Sequence, residues 1–379
     1  MKRIEAILLF TIYLFVNYLF IYKYGIRQNY INKFVLIIAY TGLIFTFFYF
    51  LNRTTLKNST LKIIYFSTVI LFFLFTILMN YYIDEANINV DRWSAMETSI
   101  SALFNNKYPY DALDHLNGRS SNLPGLFIIG MPFYLMGNIG LLQSFSFLLF
   151  SFTVYRTINN LKAKLLCLFL FIFSVSFLWE VYVKSDLMSN FIIMNSFISL
   201  WYIKYKNDSL KKTELLAIIS SLLLFTRLVS IIPLTLLIFK PFINSPFSKQ
   251  LKYIISSILT LFALASVVLL NCPSIEYFIK FNPITLQNRQ LPFLISLVIV
   301  IIPFFYSKKI HSLDSLIKYS LFFLFIPVFL SFLISNYKYG ILKIIESSVF
   351  DISYFNIAMP FLIYFIAIKY NNYSIKDVD

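Results

Sequence analysis

Charge is scarce in this chain of 379 residues: lysine and arginine number 32, aspartate and glutamate 17, together 13% of the sequence. That share is about half of what a soluble domain carries. With 59% hydrophobic residues and a mean hydropathy of +0.77, the composition excludes a soluble fold of this size. Cysteine and histidine are nearly absent. Cys167 lies inside an apolar run, Cys272 at the mouth of a loop, and His115 and His311 are far apart, which excludes a disulfide framework and a metal site built from those ligands. The eight glycines form no phosphate-cradling loop, so no nucleotide-binding loop is expected. A net charge of +15 raises the question of nucleic acid, but the lysines and arginines sit in short loops between apolar runs, the pattern of the positive-inside rule.

What is present is a succession of apolar runs, each of about 16 to 20 residues and long enough to cross a hydrocarbon core of roughly 30 Å as a helix. The expected fold is therefore all-α: a polytopic transmembrane helical protein forming one integral membrane domain over 1–379. Spans are placed at 5–22, 34–51, 63–82, 138–155, 165–182, 187–203, 215–227, 229–240, 253–270, 291–306, 319–335 and 354–369, about 12 in all. The first follows Met-Lys-Arg without a small-residue cleavage site and is read as a retained span. The apolar stretch 123–137 is broken by Pro124, Gly125 and Pro132 and is read as an interfacial or re-entrant helix. Charge then places both termini inside and the acid-rich segments outside, in a multi-pass protein of the cytoplasmic (inner) membrane.

The largest polar interruption is the loop 83–137, which gathers Asp84, Glu85, Asp91, Glu97, Asp111 and Asp114. Within it Trp93, Met96, Ile100, Leu103 and Phe104 recur at helical spacing and predict a surface helix with Asp91 just before its first turn. Asp91 would suit that helix as an N-cap, and Asp186 would suit the span that begins at Leu187. Arg227 lies inside an apolar run, where a charge needs a partner or a task; pairing with Asp186 and phosphate binding are both open. Tyr108 and Tyr110 flank Pro109, as a stacking platform for sugar or lipid or as ordinary interfacial tyrosines.

Four features together resemble a known family. Asp91-Arg92-Trp93 opens the loop helix, and Leu123-Pro124-Gly125 opens the second juxtamembrane segment. Further on, EVYVKSDLM places Asp186 at the start of a span, and LLLFTRLVSIIPLTLLIFKP places Arg227 between two short helices. This pattern, over roughly residues 80 to 242, resembles the GT-C superfamily of membrane glycosyltransferases that use polyprenyl-phosphate sugars, of the mannosyltransferase or aminoarabinose-transferase type. Two additional spans before the loop depart from the family pattern.

The resemblance implies a GT-C-like fold with juxtamembrane helices in the long outer loop. It implies a catalytic base among Asp91, Asp84 and Glu85. It also implies binding of the lipid phosphate by Arg227, with Asp186, Lys184, Arg92, Tyr108 and Tyr110 contributing. The expected partners are membrane lipid, a polyprenyl-phosphate sugar donor and a glycan, lipid or protein acceptor, with no nucleic acid. No cofactor is required beyond the lipid-linked sugar donor; carboxylates that converge leave room for a divalent metal, though no spacing demands one. Two other classes fit the same composition: an O-antigen-type polymerase or ligase, disfavoured by the position of the large loop, and a lipid-linked glycan transporter or flippase.

Overall fold

The computed structural model describes residues 2–25, 27, 30–84, 88–205, 210–287, 292–347 and 349–376. Every named element among them is a helix; the one β feature is an isolated antiparallel bridge between Leu113 and Arg119. Three apolar helices open the chain: α1 (Lys2–Gly25), α2 (Lys33–Arg53) and α3 (Asn58–Tyr82). The polar loop carries α4 (Arg92–Phe104) and leads into α5 (Pro124–Leu135). Then follow α6 (Leu141–Thr157), α7 (Leu161–Ile172), α8 (Val175–Tyr182), α9 (Leu187–Lys204), α10 (Thr213–Leu224) and α11 (Ile231–Ile243). The remainder is α12 (Phe247–Leu269), α13 (Ile275–Lys280), α14 (Pro283–Gln287), α15 (Phe293–Ser307), α16 (Leu313–Tyr339), α17 (Ile341–Ser347) and α18 (Met359–Lys376).

Among the described residues, five helices are long and apolar enough to cross a membrane: α1, α2, α3, α12 and α16. The pair α7 and α8, bent by 52°, passes the same test as one broken span. Length and composition alone show these of the 12 expected spans. Helices stand at the expected places, but α10 and α11, with 12 and 13 residues, rise only about 18–20 Å each and fall short of the hydrocarbon core. The central helix α9 has the length, yet it dilutes its apolar residues with buried Ser189, Asn190, Asn195, Ser196 and Ser199. A helix packed on all sides by protein does not need an unbroken apolar surface.

Polar contacts define two ends of the bundle. At one, Glu5 receives Lys318 at 3.0 Å and Lys369 at 3.2 Å, and Lys369 also reaches Asp314 at 3.2 Å, tying α1, α16 and α18. The opposite end carries the long loop, α4 and α5, and the segments 271–287 and 340–358 fold onto it. Asp351 accepts from Arg92 at 2.7 Å, Tyr277 donates to Asp111, and Gln287 donates to the Ser121 carbonyl.

Helix ends at this loop end are closed by local geometry. After α5, Asn138 N–H bonds the Phe133 carbonyl at 3.1 Å and Gly137 N–H the Tyr134 carbonyl at 2.9 Å, with Gly137 at φ +78°. This paired closure needs a left-handed residue, which glycine adopts without a Cβ penalty.

Candidate functional site

The loop helix α4 forms where its spacing predicts, with Met96 and Ile100 buried, while Phe104 remains half exposed. Asp91 stands at its N-cap position, but its backbone is helical (φ −83°, ψ −13°) and its side chain accepts no capping bond. The residue as a whole is exposed. Solvent lost on its protein side is the largest influence and raises its pKa above the ordinary aspartate value; Arg92 opposes the rise, and Asp114 and Asp351 add to it. His115 links the loop start to α4, one ring nitrogen on Ser94 Oγ and the other on the Ile88 carbonyl at 2.8 Å.

Arg227 occupies the break between α10 and α11 in extended backbone, followed by a 3-10 turn over Leu228–Ser230. The residue is 7% exposed. It forms an ion pair with Asp186, which is 2% exposed, and donates to Asn122 Oδ1 at 2.9 Å. Both contacts use the same Nη2 atom, and Nε finds no partner among the described atoms. Of the two readings open for Arg227, its pairing with Asp186 is present. The unmet Nε donor leaves it suited to an anion as well, since a buried polar group without a partner is costly.

The break is held by the neighbouring loop. Leu123 N–H donates to the Thr226 carbonyl at 3.3 Å and Gly125 N–H to the Phe225 carbonyl at 2.8 Å. A Cβ on Gly125 would lie 2.3 Å from the Leu222 carbonyl oxygen and 2.8 Å from that of Phe225. Only glycine lets α5 begin this close to the end of α10. Gly125→Ala is expected to destabilise the protein by about 1–3 kcal/mol, as overpacking against rigid backbone does, and to displace Arg227. Thermal unfolding in detergent checks the first effect and anion binding the second.

A cleft of about 430 Å³ opens beside Arg227 between α11, α15 and α16. Its walls are apolar, from Ile231, Ile232, Leu297, Val300, Pro327 and Val328, while Arg227, Ser121, Gln287 and Tyr354 make one polar rim. Gln287 fixes that rim: it donates to the Ser121 carbonyl and accepts from Leu228 N–H at 2.8 Å. A smaller groove of about 260 Å³ between α10, α11 and α12 has Ser220 and Tyr253 in its wall but no charged side chain.

Arg92 lies behind Tyr354, its guanidinium carbon 5.5 Å from the ring centroid, and bonds Asp351 at 2.7 Å and Ser353 Oγ at 2.9 Å. It is thus an anchor for the 3-10 turn Ile352–Ile357 that carries Tyr354 to the cleft. Burial would raise the Asp351 carboxyl, but Arg92, together with Ser353, outweighs it and holds the group below its usual range.

Other expected site residues lie elsewhere. Lys184 is buried in left-handed backbone (φ +51°) against Gly140, whose added Cβ would fall 2.9 Å from its Cγ, and it is not part of the cleft wall. Tyr108 and Tyr110 are both 3% exposed; their rings meet at 5.5 Å, and Phe127 and Tyr277 cover them further. They are core of the loop domain rather than an open platform. Asp84 is exposed just beyond α3, and Glu85 lies outside the described residues. No group of three or more carboxylates, histidines or cysteines among the described residues is placed to hold a metal ion.

Asn122, Gln287, Tyr354 and Glu180 belong to this region and were not singled out from sequence. Glu180 alone carried a signal, a carboxylate inside an apolar stretch. No protein-family model, curated protein or solved structure matches the chain.

Proposed function

We propose that this protein is a membrane glycosyltransferase that moves a sugar from a polyprenyl-phosphate carrier to an acceptor hydroxyl. The observation that carries the reading is the apolar cleft with a buried arginine at its polar rim. A lipid phosphate has that shape of polarity: a long hydrocarbon chain ending in an anion that a guanidinium binds through paired N–H donors.

In the proposed reaction the acceptor oxygen attacks the anomeric carbon from the side opposite the phosphate. Asp91 takes the acceptor proton, the bond between the anomeric carbon and the phosphate oxygen breaks, and the pair of electrons leaves on the lipid phosphate. Arg227 stabilises that developing charge. One inversion at carbon follows, with no protein nucleophile and no general acid for the leaving group. In this reading the remaining helices complete about 12 passes in a GT-C-like arrangement. Both termini lie inside and the loop end faces the extracytoplasmic side. The acceptor is a glycan, a lipid or a protein.

The test is transfer of radiolabelled sugar from a panel of polyprenyl-phosphate monosaccharides to membrane extracts by the purified protein in lipid vesicles. Incorporation from one donor is expected, and none from nucleotide sugars. The same cleft favours a second reading, a translocator of lipid-linked glycans, because it binds without needing chemistry. Movement of labelled lipid between leaflets with no product would select it and reject the transferase.

A further inference from the structure

Glu180 is fully buried near the end of α8, and none of the chemistry above uses it. Its Oε1 accepts from the Met188 N–H at 3.2 Å and from Asn356 Nδ2 at 2.9 Å. Met188 is the second residue of α9, so its N–H is among the first-turn donors that no carbonyl of the helix can satisfy. The side chain just before the helix usually accepts such a donor, and aspartate is among the best residues for it.

Asp186 holds that position and does not act so. Where Asn32, Asn160, Ser274, Ser312 and Asp351 cap their helices through the side chain, each has extended backbone. Asp186 instead has helical backbone at φ −89°, ψ −9°, makes no capping bond and turns to Arg227. The turn between α8 and α9 explains how another residue takes over. Ser185 N–H bonds the Glu180 carbonyl at 3.0 Å and Lys184 N–H the Val181 carbonyl at 3.3 Å, with Lys184 left-handed. This closure reverses the chain and sets the end of α8 against the start of α9.

We propose that Glu180 is a positioning residue for Arg227: by capping α9 across the turn it releases Asp186 to hold the guanidinium at the cleft. Without an acceptor at position 180, the orphan N–H of Met188 draws Asp186 back to its own helix, and Arg227 loses its buried partner. The functional weight of this device rests on the reading of Arg227 as the anion-binding group, but its test needs no ligand.

Thermal unfolding in detergent is measured for the unmodified protein, Asp186→Asn, Arg227→Met and the double variant, giving the non-additive coupling between the two residues. The cycle is repeated in Glu180→Gln and Glu180→Leu backgrounds. Glutamine keeps an acceptor oxygen and should retain the coupling, whereas leucine fills the volume without one and should reduce it to less than half. Equal coupling in all three backgrounds overturns the proposal. Glu180→Ala replaces the leucine variant if that does not fold, and failure of both to fold overturns the positioning role in favour of a purely structural one. Coupling lost as expected in a protein that transfers no sugar would keep this inference and sink the transferase reading; unchanged coupling in an active protein would do the reverse.

Discussion

Arg227→Met is expected to lower sugar transfer by about 100- to 1,000-fold, the loss seen when one preorganised donor to a developing oxyanion is removed. The same substitution should destabilise the protein by about 3–5 kcal/mol, because it leaves Asp186 as a buried carboxylate without its partner. Two effects on one residue would make the activity loss ambiguous. Replacing both members separates them. A buried ion pair exchanged for apolar side chains of similar volume is often neutral in stability, so Arg227→Met with Asp186→Leu should unfold near the temperature of the unmodified protein. If the phosphate reading is right, that folded double variant remains inactive. Normal transfer by it would show that Arg227 and Asp186 serve only to close the break between α10 and α11, and the phosphate would have to be bound elsewhere.

The long helices were legible because the signal is local: α1, α2, α3, α12 and α16 each carry an apolar run that meets the length of a bilayer without help from any other segment. The break at Arg227 was legible for the same reason, a charge standing in an apolar run. For α10 and α11 hydropathy alone made spans of 215–227 and 229–240, although 13 and 12 residues are already short of a bilayer, and the helices, at 12 and 13 residues, are short too. Local pattern also placed Asp91 and Asp186 at helix starts, yet misjudged what their side chains do there. Capping is decided by the backbone of the residue itself, and both have helical rather than extended φ and ψ.

Contacts between distant segments were beyond that kind of reading. Arg92 meets Asp351 across 259 positions, and Gln287 meets Ser121 across 166. Neither pair follows a period or a motif, and each consists of residue types that are ordinary in a polar loop. Asp351 and Gln287 lie in segments whose sequence carries no motif, although Gln287 and the neighbouring Tyr354 line the cleft. For Tyr108 and Tyr110 the sequence left two readings open, a stacking platform or ordinary interfacial tyrosines. Their interfacial composition resembles a binding platform, while packing against Phe127 and Tyr277 makes them core.

Asp91→Asn is expected to lower transfer by about 100- to 10,000-fold, the usual worth of a general base, while changing stability by less than about 0.5 kcal/mol. The second half follows from geometry: the residue is exposed and its side chain makes no capping bond, so an isosteric amide removes nothing that α4 depends on. The pH profile gives an independent check on the assignment. A base acts when ionised, so activity falls as pH drops through its pKa, and partial burial with Asp114 and Asp351 nearby places that value above the ordinary aspartate figure of about 3.9. Asp114→Asn removes one like charge and lowers the Asp91 pKa, so the acid limb of the profile should move to lower pH. Arg92→Gln removes the opposing positive charge and should move it to higher pH. If the limb stays fixed in both variants while the protein remains folded, Asp91 is not the base. Asp84, which is exposed, would then be the next candidate, with Glu85 after it, because Asp186 is already engaged by Arg227.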